Sequence, residues 1–451
     1  MYSRRDFMIM GVGAGVGVLL AGNLPAHAQD VASHMKSATA VTQVFGDGLR
    51  FTAVAVEYDR PVDGAKLSSA SFRVDGRTVT DLFVSTSPDP ADRAAQGRYV
   101  IVALSPDDPA AALKQRGQAE KSAARAGKAP GGPSGPLNGP PAGGPKTVYK
   151  PAEATVIQAG PVIAVDGETY PPTNDAIATT NARNLVVDDF RQLEFHDLKT
   201  GDVLQYNLFV PKDYNSARTY PLVLFMHDAG ATGSDPLSTL RQGLGAVIWA
   251  SPGDQAKRPA LVLAPQYSEL IVNDQSETTS MLDTTIDLVN QLAEEYSVDR
   301  NRLYATGQSG GCMMSIAMNI KYPDFFAASF LVAGQWDPAL VKPLARQKLW
   351  IMVSQGDLKA YPGQNAITAV LEQEGVKISR AVWDGTSTPE EFQTAFEKMD
   401  IEKSSINYVA LRKGTVVPPG QSDAGGGEHI NTWRIAYTIA GVRDWIFRQH
   451  K

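Results

Sequence analysis

The chain has a single cysteine, Cys312, so no disulfide can form within it. Only six histidines occur, and none is spaced with cysteines or other histidines as zinc ligands are. No metal or organic cofactor is therefore expected. Charge of one sign is also scarce: 42 basic against 48 acidic residues leave a net charge of −6, too little positive field to attract nucleic acid or an anionic membrane. Long apolar runs are missing apart from one, residues 8–22. That run is shorter than the roughly 20 residues a spanning helix needs.

The apolar run belongs to an address. Ser3-Arg4-Arg5-Asp6-Phe7-Met8 is a twin-arginine pattern, and Ala26-His27-Ala28 supplies small-x-small cleavage chemistry. Residues 1–28 are expected to be a twin-arginine signal peptide, cut after Ala28 and leaving no stable membrane span. The mature chain is then periplasmic or secreted, and a route for folded proteins suits a chain without disulfides.

Residues 37–178 read as an all-β domain. Short alternating runs such as Leu49 to Val56, Phe72-Arg73-Val74 and Arg98 to Val102 are separated by Asp47-Gly48 and Asp75-Gly76, the pattern of antiparallel strands in a sandwich. Residues 105–146 interrupt it with Ala/Lys/Arg-rich and then Pro/Gly-rich sequence, too poor in apolar surface to offset the entropy of ordering. This insertion is expected to be disordered; its Lys114, Arg116, Lys121, Arg125 and Lys128 alternatively make a docking arm. From Leu185 to the end the rhythm becomes strand–helix, the signature of an α/β sheet with helices on both faces. Strands are expected at Leu222–Met226, Leu261–Ala264, Leu303–Thr306, Ser329–Val332, Leu349–Val353 and Asn407–Leu411, with helices at Met281–Tyr296, Met313–Ile320 and Thr432–Gln449.

Gly307-Gln308-Ser309-Gly310-Gly311 lies between an apolar strand and a helix. A serine on such a turn has its hydroxyl lifted above the sheet, and the small residues two before and two after relieve crowding. Ser309 is the candidate nucleophile; an ordinary Gly-rich turn is the competing reading. Its base must be a histidine. In a strand–turn–helix serine site the order is serine, acid, histidine, which leaves His429 and His450, and His450 is penultimate. His429 is placed in a Gly-rich loop before the last helix. Asp357, just past the strand Leu349–Val353, is the preferred acid, with Asp384, Asp400 and Asp423 as alternatives. The oxyanion calls for backbone N–H donors, expected from Gly310 and from Ala229 in the loop after Leu222–Met226. Gln308, Gln335 and Trp336 are candidates to contact substrate. Cys312 is expected to be a buried small hydrophobe.

Pro221 to His227 with its Gly-rich loop, Val262-Leu263-Ala264-Pro265-Gln266, and Tyr304 to Gly311 resemble the α/β-hydrolases. Within them the chain is most similar to bacterial esterases of the EstA type, related to polyhydroxybutyrate depolymerases, feruloyl esterases and prolyl-oligopeptidase-like proteins. The β region resembles the immunoglobulin-like domain that precedes the hydrolase in those esterases. The resemblance implies a serine hydrolase acting on a small-molecule or polymer-derived ester through an acyl-enzyme. A serine peptidase and a catalytically inactive exported binding protein are the alternatives. Two departures stand out: Asp228 follows His227 where the family has glycine, and Gly310 follows the nucleophile where a bulkier residue is common. Asp228 is expected to turn away from the oxyanion or to bind a partner. Residues 384–405 are expected to contribute a cap. The β domain has three roles open to it: shielding the site, forming a homo-oligomer, or binding a polymer.

Overall fold

The computed structural model of the chain describes residues 34–115, 147–423 and 425–451. The signal peptide expected over 1–28 lies outside the described residues, as does most of the insertion. The part of the insertion that is described departs from expectation. Ala111 and Leu113 are buried, and backbone bonds from Phe51 N–H to the Ala111 carbonyl and from Leu113 N–H to the Leu49 carbonyl stitch residues 111–113 to the domain. Two apolar side chains at alternate positions are enough to extend the domain to Gln115.

The N-terminal domain is a β-sandwich. One sheet runs in the order Asn181–Asn184, Met35–Phe45, Gly48–Asp63, Gln96–Leu104 and Val79–Ser85; the smaller contains Ala176–Ala178, Thr155–Gln158 and Phe72–Val74. Val54, Val56, Val100, Val102, Val156 and Phe72 fill the core with alternate residues, as the period of two requires.

The second domain carries a nine-stranded sheet: Arg191–His196, Val203–Phe209, Leu261–Gln266, Tyr220–Met226, Val298–Gln308, Ala328–Val332, Leu349–Ser354, Ile406–Leu411 and Ile378–Trp383. The first two pairings are antiparallel and the rest are parallel. Central strands such as Tyr220–Met226 and Leu349–Ser354 are buried at every position, because helices cover both faces. On one face Thr306, Phe225 and Phe330 meet Tyr437, the residue that follows helix Gly425–Ala436. On the other, Ser329 accepts a hydrogen bond from Asn319 of helix Gly310–Lys321.

The last helix was expected to be continuous over Thr432–Gln449 and is two, Gly425–Ala436 and Ala440–Phe447. Arg443, held by the sequence-distant Asp254, donates to the Tyr437 carbonyl six residues back at 2.6 Å, just past the end of the first helix. Helix Pro389–Asp400, inside the expected cap, packs on the edge strand Ile378–Trp383 and on Ala440–Phe447. Phe392 meets Trp383, and Phe396 meets Trp350 and Gly441. Its apolar stripe is thus used to cover the sheet flank.

Candidate active site

Strand Val298–Gln308 ends in the sheet centre, and helix Gly310–Lys321 starts one residue later. Ser309, between them, has φ 53° and ψ −117°, a conformation that costs a non-glycine residue about 1–3 kcal/mol. Its neighbours hold it there. Ser309 N–H donates to the Val332 carbonyl, and Met313 N–H to the Ser309 carbonyl. A methyl on Gly307 would overlap the Gly311 backbone, and one on Gly311 would overlap the Met226 carbonyl. The turn therefore packs directly against the end of strand Tyr220–Met226, where the loop expected to hold the oxyanion begins.

His429 was expected in a loop and instead sits in the first turns of helix Gly425–Ala436. The three glycines read as loop, yet Gly427 has a structural reason to be glycine: a side chain there would overlap the Ser422 carbonyl. The Ser309 hydroxyl lies 2.8 Å from His429 Nε2, and His429 Nδ1 lies 2.5 Å from Asp357 Oδ2. All three residues are buried, with exposures of 5%, 7% and 2%. Asp357 Oδ1 accepts the N–H groups of Lys359 and Ala360 at the start of helix Ala360–Gln373. Burial pushes this carboxyl up, but His429 and those N–H donors outweigh it and hold it below the ordinary aspartate value. Trp433, one turn on, presents its ring edge-to-face to the His429 imidazole at 5.1 Å.

Two of the three alternative acids are occupied elsewhere. Asp384 binds Thr386 and faces Arg412, Asp400 binds Lys403 and Arg448, and Asp423 is exposed. His450, at the chain end, offers its carbonyl to Lys348.

Ala229 opens the short 3-10 turn Ala229–Ala231, and Gly310 opens the helix after Ser309. Both amides occupy first-turn positions, where N–H groups have no acceptor within the helix. Asp228 is turned to protein partners: Oδ1 accepts Gly230 N–H at 2.7 Å and Oδ2 accepts the Gln308 amide at 3.0 Å. His227 is fully buried, with Nδ1–H donating to the Asp228 carbonyl at 2.7 Å and Nε2 accepting Tyr267 N–H at 3.0 Å. Burial lowers its pKa, so it stands as a neutral strut of the loop.

Gln308 is 1% exposed, and its amide nitrogen also reaches Gln242 at 3.2 Å. It braces the loop from behind. Gln335 follows Gly334, which packs against the Ser309 carbonyl, and reaches Met313 Sδ and Asp274. Asp274 in turn pairs with Lys359, forming a polar wall beside Ser309. Trp336 is buried. Leu358 and Ile430, adjacent in sequence to Asp357 and His429, are exposed. The β domain reaches the turn Ala229–Ala231, where Thr147 donates to the Gly230 carbonyl at 3.4 Å.

Comparison with known proteins agrees with this architecture. Residues 37–171 match the model of the esterase Ig-like N-terminal domain, and residues 272–357 match that of the prolyl oligopeptidase family. A solved structure described as a thermostable esterase superposes with a TM-score of 0.71 at 26% identity, covering 92% of this chain and 100% of that one. The chain has an α/β-hydrolase fold preceded by a domain similar to the esterase Ig-like domain. Among curated proteins, it is 27% identical over 131 residues to a probable feruloyl esterase C of Aspergillus terreus (strain NIH 2624 / FGSC A1156), covering 29% of this chain and 46% of the relative. It is 29% identical over 124 residues to a poly(3-hydroxybutyrate) depolymerase of Ralstonia pickettii, covering 25% of each. The chain thus matches less than half the length of either relative. Among the described residues no cluster of three or more His, Cys, Asp or Glu could hold a metal ion, and no helix is long and apolar enough to cross a membrane.

Proposed function

We propose that the protein is an exported serine hydrolase that cleaves carboxylic esters, drawn from small molecules or polymers, through an acyl-enzyme on Ser309. The observation that carries this reading is the unbroken hydrogen-bond path from the Ser309 hydroxyl through His429 to Asp357. Ser309 Oγ attacks the acyl carbon while His429 Nε2 takes its proton. Asp357 fixes the imidazole with Nδ1–H toward the carboxylate and stabilises the imidazolium. The amides of Gly310 and Ala229 receive the oxyanion. His429 then protonates the departing alcohol oxygen, leaving the acyl group on Ser309. Water attacks that ester and gives its proton to His429, which returns it to Ser309 Oγ as the acyl–oxygen bond breaks and the acid leaves. The leader pattern at Arg4-Arg5 and Ala26 to Ala28 supports export to the periplasm or beyond.

A serine peptidase is the second reading, favoured by the prolyl oligopeptidase match over residues 272–357. The test is burst kinetics on a nitrophenyl acyl ester, with wild type and Ser309→Ala side by side. A burst stoichiometric with enzyme and lost in the variant supports the esterase. Turnover that survives Ser309→Ala removes the proposed nucleophile, and peptide cleavage with negligible esterolysis selects the peptidase.

A further inference from the structure

Glu428 precedes His429 and is fully buried. Burying a carboxylate is costly unless its oxygens are bonded, and an apolar side chain would fill the space without that penalty. What the carboxylate contributes is directed bonds. One oxygen accepts the Ser354 hydroxyl, and the other accepts Gly414 N–H at 2.7 Å. Ser354 ends the strand that leads to Asp357. Its hydroxyl oxygen also accepts Gly356 N–H at 3.1 Å, and its carbonyl accepts Asp357 N–H at 3.1 Å. Gly356 lies flat against Glu428, where any side chain would overlap the Glu428 methylene and carboxyl carbons.

The turn carrying the acid, Ser354-Gln355-Gly356-Asp357, is thereby bolted to the residue next to His429. We propose that Glu428 is a positioning residue that sets the Asp357–His429 geometry by clamping the Ser354–Asp357 turn to the start of the His429 helix. Glu428 does not touch the reacting atoms; it acts through the Ser354 hydroxyl and the flat face of Gly356. Its kinetic consequence rests on the serine-hydrolase reading, whereas its geometric consequence does not. Misplacement of catalytic groups by about 1 Å costs on the order of a hundredfold in rate, so a clamp of this kind acts on kcat more than on KM.

The test uses the full chain with Glu428→Gln and Ser354→Ala, each checked for folding by near-ultraviolet circular dichroism. The glutamine keeps the volume and loses one acceptor; the alanine removes the clamp's other half and leaves Glu428 in place. Two quantities are read: the downfield proton resonance of the His429 Nδ1–H bonded to Asp357, and kcat and KM on a nitrophenyl ester. Both variants are expected to shift or broaden the resonance. They should lower kcat by about tenfold to a hundredfold while KM stays within about threefold. Should Glu428→Gln fail to fold, Ser354→Ala alone decides. An unmoved resonance in the folded variants overturns the proposal, as does an unchanged kcat in a turning-over enzyme. If the wild type lacks turnover yet the resonance responds, the ester reading falls and the clamp stands.

Discussion

Gly311 packs against the Met226 carbonyl, so close that a single methyl on Gly311 would overlap its oxygen. This contact joins the nucleophile turn to the strand that carries His227 and the oxyanion loop. Gly311→Ala must push the two apart. Overpacking of this kind costs about 1–3 kcal/mol, and here the strain falls between Ser309 and the Ala229 amide. The expected outcome is a lower thermal midpoint together with a loss of kcat larger than that of an equally destabilising substitution in the β-sandwich. Equal losses in both would show that the contact matters only for stability.

Asp357 gives a pH dependence with a definite sign. Its folded-state pKa lies below the ordinary value, which for aspartate is about 3.9. The unfolded chain therefore binds the proton more readily, and the stability the carboxylate contributes is present above that value. It is lost as pH falls through the lower folded pKa. Urea midpoints at pH 6 and near pH 3 should therefore fall further for wild type than for Asp357→Asn, so the gap between them narrows in acid. A gap that widens would contradict the hydrogen-bond assignment around Asp357.

Much of this site was legible because buried parallel strands write themselves as apolar runs. All six expected strands of the hydrolase sheet occur, each within a few residues of its expected ends. The three others, Arg191–His196, Val203–Phe209 and Ile378–Trp383, lie at or next to the sheet edges and carry exposed positions that dilute the signal. Ser309, His429 and Asp357 could be picked from residue chemistry and chain order. Their convergence within hydrogen-bonding distance could not. Glu428 was invisible for a related reason: its meaning depends on three segments, at 354, 414 and 428, meeting in space. The break in the last helix was hidden too, since Arg443 satisfies the Tyr437 carbonyl there while Asp254, far away in sequence, holds its guanidinium.

Asp228 departs from the glycine that the resemblance led us to expect, and its carboxylate has a structural task. It caps the turn Ala229–Ala231 through Gly230 N–H and anchors the Gln308 amide. Asp228→Ala should cost about 1 kcal/mol for the lost cap and free the loop that presents the Ala229 amide. Loss of a whole oxyanion donor costs about 10²–10³ in kcat, so loosening one should cost less, on the order of tenfold. Asp228→Asn retains one acceptor and should recover part of that loss. Steady-state kinetics on a nitrophenyl ester check both variants; higher activity in Asp228→Ala would mean that the carboxylate opposes the oxyanion.

Cys312 is one helical turn from Ser309, and its position invites confusion with a reactive centre. It is fully buried, with Gly334 packed against its side chain and the Gln364 amide 4.0 Å from Sγ. Burial pushes the thiol pKa far up, so the thiolate that reacts with disulfides and alkylating agents is scarce at neutral pH. The native protein should therefore leave a thiol-reactive disulfide reagent unconsumed at pH 8, and urea unfolding should release one equivalent. Replacement by alanine would remove the sulfur that fills the space beneath Gly334 and lower stability through the cavity left behind. Replacement by serine would add a buried hydroxyl that needs a partner, with the Gln364 amide within reach to serve. Both variants should retain kcat within about threefold, because neither alters the chain from Ser309 to Asp357. A Cys312→Ala enzyme that loses kcat by a hundredfold while keeping its fold would place the sulfur in the chemistry and displace the role assigned to Ser309.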